Sequence, residues 1–168
     1  CLITNNNVVL TSSRDIPIKR LHSLPPKQYK YNNNAFIMPY DPQGRGTWIG
    51  TGNHKIVSLL NHRGKEDTLL SRGQLVVKLL SEEIIIDDLE KEVKVFNSFR
   101  LIYLDTKSKI YYDYIWDGVD LIINKINKPL NIWFSNTIYN EIEIDENTKS
   151  FFNQYESKVN KEMLLNFH

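Results

Sequence analysis

The sequence is poor in cysteine: Cys1 is the only one in 168 residues. One thiol cannot close an internal disulfide, which fits a reducing compartment and gives a cytoplasmic location as the expectation. Net charge is also lacking. Twenty-one Lys and Arg face 20 Asp and Glu, leaving +1, so there is no electrostatic case for nucleic acid or an anionic membrane as partner. No apolar run approaches the roughly 20 residues that span a bilayer. The chain as given shows no charged n-region followed by an apolar h-region of a secretory signal. The four histidines, His22, His54, His62 and His168, have no HxxxH or HExxH spacing, and one cysteine cannot build a zinc site alone. No metal and no cofactor is therefore expected. No repeat of 20–50 residues is visible.

What is present suits a folded chain. Apolar residues make up 41% and aromatics 11%, enough for a core without staples, and the length fits one domain over 1–168. LITNNNVVLTSS reads as two short strands joined by an Asn turn. Pro17 to Gly46 carries six Pro and Gly punctuators before its last residue and reads as a long irregular or extended segment, with one short strand at NAFIM. TWIG and KIVSLLN read as strands around a turn at Gly52, Asn53 and His54. SRGQLVVKLLSEE, opened by Ser71, has apolar residues at helical spacing, and IIIDDLEKEVKVFN continues as a second helix with Ile85, Leu89, Val93 and Phe96 on one face. FRLIYLD, KIYYDYIWD, VDLIINKI and LNIWFSN read as strands, with turns at 106–108 and at Asp117–Gly118. A helix from Asp145 to about Lys158 carries Phe151, Phe152 and Tyr155 on one side, and a last turn covers Lys161–Leu165. Runs of strands and runs of helices, without strict alternation, predict an α+β fold with antiparallel sheet.

The chemistry begins at Cys1. A residue at position 1 carries an α-amine of ordinary pKa about 7.7–8.0, and a free thiol ionises near 8.5. An amine beside the thiol can take its proton, which is the logic of the N-terminal nucleophile, and a nearby guanidinium favours thiolate. The competing reading is that Cys1 only marks where the chain was cut. Loss of an initiator Met before a small Cys produces the same terminus. If residues 1–4 and 8–11 form a hairpin, the second strand returns toward Cys1, so Arg14 could polarise the thiol and Asp15 hold the amine. The plain alternative is a surface ion pair, worth little.

LTSSRD, RGTWIG, LLNHR and SRGQLV, in this order, resemble the NRDE family, also called the transport-and-Golgi-organisation-protein-2-like family, over about Cys1 to Asn136. Its members show Met-Cys, NRDE, GGTWLG, TN-x-R, an SRG helix start and a later LSN. The family is considered similar to N-terminal nucleophile (Ntn) cysteine hydrolases such as penicillin V acylase and bile salt hydrolase. The resemblance implies a four-layer αββα sandwich with antiparallel sheets and the terminal Cys on an inner strand. It puts Cys1 in the nucleophile's place and Arg14 and Asp15 at the centre of NRDE, with Ser13 and Ile16 for the flanking Asn and Glu. Asn61 falls on the TN-x-R asparagine and so on an oxyanion role, and Asn136 on the LSN asparagine at the substrate side. Thr47 and Trp48 lie in the GTWLG match, with Arg45 for its first Gly, and Arg72 in SRG; these three are the candidate substrate contacts. Without the resemblance, Asn61 and Asn136 also read as turn asparagines and Trp48 as core. Arg72, in the first turn of a helix, opposes the dipole, which suggests a fixed carboxylate partner, the alternative being an exposed arginine. Family members continue further, so the C-terminal part of the family domain is expected to be missing here, and no equivalent of the acylases' late arginine is found.

Three functions follow. The first is an N-terminal cysteine amidohydrolase or acyltransferase acting on a linear, non-peptide amide through an acyl-thioester, with a small acyl or amide compound as substrate. The second is a non-catalytic, Ntn-like binding or trafficking module for a lipid-like, acyl or haem-type ligand. The third is an interaction domain that forms a homo-oligomer through an open sheet edge.

Overall fold

A computed structural model describes residues 1–4, 7–14, 19–66, 70–155 and 162. In chain order its elements are β1 (Leu2–Ile3), β2 (Val8–Val9), β3 (Leu24–Tyr31), β4 (Asn34–Tyr40), β5 (Ile49–Gly52), β6 (Lys55–Asn61), α1 (Arg72–Leu80), α2 (Leu89–Glu92), β7 (Phe99–Asp105), β8 (Ile110–Trp116), β9 (Leu121–Lys125) and α3 (Glu141–Tyr155). The chain divides into a smaller unit, Cys1–Ser13 with Asn127–His168, and a larger one, Arg14–Ile126.

In the smaller unit the predicted hairpin forms: β1 and β2 run antiparallel with Leu2 opposite Val9 and Ile3 opposite Val8. Thr4 closes it, its backbone N–H donating to the Asn7 carbonyl at 2.8 Å and its hydroxyl to the same oxygen at 2.9 Å. The other side of β1 is taken by the segment after Pro129, where Ile3 N–H donates to the Pro129 carbonyl at 2.7 Å and Leu2 bridges Leu130. That single bridge is all that forms of the strand expected at LNIWFSN, because β1 offers only two residues to pair. α3 begins at Glu141, four residues before the expected start. Asn140 explains this: its side-chain oxygen accepts the Glu143 N–H at 3.0 Å, while the Glu143 carboxylate accepts the Asn140 N–H at 2.8 Å. This reciprocal pair is a capping box with Asn in the Ser/Thr place. The helix then buries Phe151 against Leu130, with Leu2, Val9, Ile132, Phe152 and Tyr155 around them. Residues 156–158 of the expected helix, and all but Glu162 of the expected last turn, lie outside the described residues.

The larger unit is built on a seven-stranded sheet in the order β3-β4-β5-β6-β7-β8-β9, with every pairing antiparallel. The fold is thus mixed helix and antiparallel sheet, as the runs of like elements predict. The segment Pro17–Gly46 departs from expectation, since it holds a long hairpin, β3–β4, and not one short strand. Its turn is Asn32–Asn33, both at positive φ (46° and 68°), the backbone that a two-residue hairpin turn demands and that Asn tolerates. Pro25 and Pro26 are accommodated because β3 is the edge strand, with an irregularity between Leu24 and Lys27. Asn53 and His54 repeat the device between β5 and β6 (φ 48° and 63°), as the sequence suggests.

One face of the sheet presents Val57 and Leu59, Leu101 and Tyr103, Tyr114 and Trp116, packed with Leu75, Val76, Leu79 and Leu80 of α1. The expected second helix does not continue. After α1, Glu82 takes φ 61°, and the chain proceeds through a 3-10 turn at Ile86–Asp88, the single turn α2 and a 3-10 turn at Val93–Val95. Leu89, Val93 and Phe96 are buried as the spacing predicts, but Ile84 is buried in place of Ile85, which is 49% exposed. A short broken helix keeps the apolar contacts without the strict period.

Candidate functional site

The expected site residues fall in both units. Cys1 and Asn136 belong to the smaller one; Arg14, Thr47, Trp48, Asn61 and Arg72 to the larger. Asp15 lies outside the described residues.

Cys1 precedes β1, and the Leu2–Val9 pairing sets it beside the C-terminal end of β2. It is 7% exposed and its sulfur is in no disulfide. Its α-amine donates to the Asn131 carbonyl at 2.7 Å, and the Asn131 N–H returns a bond to the Cys1 carbonyl at 2.9 Å. Burial disfavours the charged amine and lowers its pKa from 8.0 to about 6. At neutral pH this amine is therefore mostly uncharged, with one N–H donated to the Asn131 carbonyl. Asn136 sits half-buried in the turn that follows Ser135, whose hydroxyl lies 2.8 Å from that of Thr137.

In the larger unit Arg14 and Trp48 come together through a residue the sequence did not single out. Asp41, 6% exposed, accepts Arg14 Nη2 at 2.6 Å and Arg20 Nη2 at 2.5 Å on the same oxygen. Its other oxygen takes the Gln43 N–H at 3.2 Å. The Arg14 guanidinium lies 4.5 Å above the Trp48 ring, a cation–π contact. Burial pushes the Asp41 carboxyl up, but the hydrogen bonds from Arg20 and the Gly44 backbone and the charges of both arginines outweigh it, leaving it below its ordinary value. Burial, opposed by Asp41 and reinforced by Arg20, lowers Arg14.

Local backbone explains why this cluster forms. The loop Asp41–Gly46 is closed at both ends by Asp41 N–H to the Gly46 carbonyl at 2.8 Å and Gly46 N–H to the Asp41 carbonyl at 3.3 Å. A Cβ on Gly46 would stand 2.3 Å from the Gly73 carbonyl carbon, so the glycines of RGTWIG and SRG let two backbones touch. Thr47 N–H then donates to the Gly73 carbonyl at 3.0 Å. Thr47 itself is buried, its hydroxyl donating to the Ile49 carbonyl at 2.9 Å.

Arg72, at the start of α1, donates to the Ser98 carbonyl at 2.6 Å. Burial lowers it and the charge of Glu66 raises it. Among the described residues, Arg72 thus meets a backbone carbonyl by hydrogen bond and the Glu66 carboxylate through charge. Ser71 takes the N-cap position without a side-chain cap bond. Asn61 is the exposed last residue of β6, opposite Phe99.

Arg20, Asp41 and Asn131 are the residues that sequence reasoning missed. Arg20 and Asp41 lie within the segment read as irregular. DPQG marks a turn, and only the loop's closure turns its aspartate inward as a counter-ion. Asn131 acts through its main chain, which carries no side-chain signal. Among the described residues no group of three or more His, Cys, Asp and Glu could hold a metal ion, and no helix is long and apolar enough to cross a membrane.

A family model described as Transport and Golgi organisation 2 matches residues 3–165. No curated protein matches the chain.

Proposed function

The chain belongs to the Transport and Golgi organisation 2 family, and from that premise we propose that it is an N-terminal cysteine amidohydrolase or acyltransferase of the Ntn type. The reading includes a single αββα domain of that kind and a linear, non-peptide amide as substrate. The observation that carries it is the state of the Cys1 amine, fixed by Asn131 and lowered to about 6. A general base is best placed with a pKa near the working pH.

Cys1 Sγ attacks the amide carbonyl carbon while its proton passes to the α-amine. The tetrahedral intermediate collapses, the C–N bond breaks, and the amine returns that proton to the leaving nitrogen. The resulting acyl-thioester is cleaved by water, giving acid, or by a second amine, giving a new amide. The chemistry as written uses no cofactor. The resemblance assigns oxyanion donation to Asn61 and a substrate-side amide to Asn136, and each is tested by its own substitution. Removing one preorganised oxyanion donor costs roughly 10²–10³ in turnover. In the same reading Arg14 polarises the thiol, Asp15 orients the amine, and Thr47, Trp48 and Arg72 contact the substrate.

The test is alkylation by iodoacetamide followed across pH, with the adduct mapped and the amino terminus sequenced, alongside turnover of a panel of N-acyl amines. Labelling of Cys1 faster than free cysteine at pH 7, and loss of turnover in Cys1→Ala, are expected. Labelling no faster than free cysteine, or an active Cys1→Ala protein, refutes the proposal and leaves the family's binding-module reading.

A further inference from the structure

The Arg14–Arg20–Asp41 cluster holds more positive charge and more donors than its own contacts use. Two guanidinium groups share a single carboxylate oxygen, leaving one positive charge uncompensated within the trio. Each guanidinium has five N–H donors. Arg14 Nη1 and Arg20 Nε are buried with no hydrogen-bond partner, as is Trp48 Nε1. Leaving a buried donor unpaired is costly, more so on a charged group, and such groups in a native fold call for an explanation, an unseen ion among them.

The surroundings are preorganised. Asp41 is itself held by the Gln43 N–H, Arg14 is stacked on Trp48, and the loop backbone packs closely. A Cβ on Gly44 would come 2.8 Å from the Asp41 carboxylate, 3.2 Å from Arg20 Nη2 and 3.3 Å from the Ser71 hydroxyl. That hydroxyl makes no cap bond to α1. Arginine forks match planar or tetrahedral oxyanions in two-point contacts.

We propose that the larger unit binds an oxyanion, the carboxylate or phosphate group of a small ligand, at the unfilled donors of Arg14 and Arg20, with Asp41 as the buried strut that holds both arginines. This site shares Arg14 and Trp48 with the residues that the reaction proposed for Cys1 invokes, and anion binding by a Cys1→Ala protein tells the two readings apart.

The test is a two-dimensional NMR titration of the full chain, following the Trp48 indole N–H and the arginine Nε–H signals. The probes are inorganic phosphate and sodium butyrate, each at ionic strength held constant with sodium chloride. Saturable shifts with a Kd of about 1 mM or tighter are expected. Saturation by phosphate alone identifies a phosphate ligand, by butyrate alone a carboxylate, and by both a site that accepts either. Arg20→Gln leaves the Arg14–Asp41 pair in place and weakens binding about tenfold or more. Arg20→Lys keeps the charge without the fork and loses less. The exposed Lys94→Gln changes nothing, and Cys1→Ala retains binding. Shifts that stay linear for both anions in the unsubstituted protein overturn the proposal, as does saturation unchanged in Arg20→Gln.

Discussion

Asp41→Asn keeps the size of the buried side chain and removes its charge. Two guanidinium groups, at 2.6 and 2.5 Å, then face a neutral amide, and neither retains a compensating anion in the trio. Removing one partner of a fully buried ion pair costs about 3–5 kcal/mol. Here the arginine side chains are 16% and 31% exposed, so water recovers part of that, and about 2–4 kcal/mol is expected. Arg20→Gln is milder because Arg14 and Asp41 remain paired, and costs about 1 kcal/mol. Urea unfolding followed by tryptophan fluorescence measures both, since Trp48 and Trp116 lie in the larger unit. The order of the two losses is the decisive result. If Arg20→Gln costs as much as Asp41→Asn, or Asp41→Asn costs less than about 0.5 kcal/mol, a typical surface value, then Asp41 is not the strut described.

Two further outcomes follow from the smaller unit. The Cys1 amine, at 8.0 when unperturbed and about 6 when folded, binds more protons in the unfolded chain between those values. Folding stability therefore rises with pH through this window, by about 2 kcal/mol from pH 6 to 8, and the difference vanishes when the amine is acetylated; equal slopes for free and acetylated protein in pH-dependent urea melts would refute it. Asn140→Ala removes the acceptor for the Glu143 N–H and should destabilise α3 by about 1 kcal/mol, read by hydrogen exchange at residues 143–147; unchanged protection there counts against the capping box.

The parts of the fold that were legible in the sequence are those set by local rules. The strands β5 to β9 follow from apolar runs bounded by Asn-His, Asp-Gly and similar turns, and α1 from its period. What escaped depended on distant partners. β3 tolerates Pro25 and Pro26 only because it lies at an edge, which no local window reveals. LNIWFSN has strand composition but only β1 to pair with. The candidate site divides the same way. Cys1 and Arg14 stood out by position and motif, whereas Asp41 and Arg20 became visible only once the loop Asp41–Gly46 closed and brought side chains far apart in sequence onto one oxygen.

The seven-stranded sheet also bears on how the chain reaches its native state. Every strand pairs only with its sequence neighbours, and most of those pairs are joined by tight turns. The join between β6 and β7 differs, because Asn61 meets Phe99 only after the intervening residues 62–98, which carry α1 and α2, have been looped out. Closing that loop costs about 2–3 kcal/mol more entropy than closing a two-residue turn. The hairpins on either side can form early and separately. The docking of β6 on β7 is then the step expected to commit the larger unit to fold, and Val57→Ala and Leu101→Ala are expected to slow refolding in stopped-flow kinetics, an unchanged refolding rate counting against it.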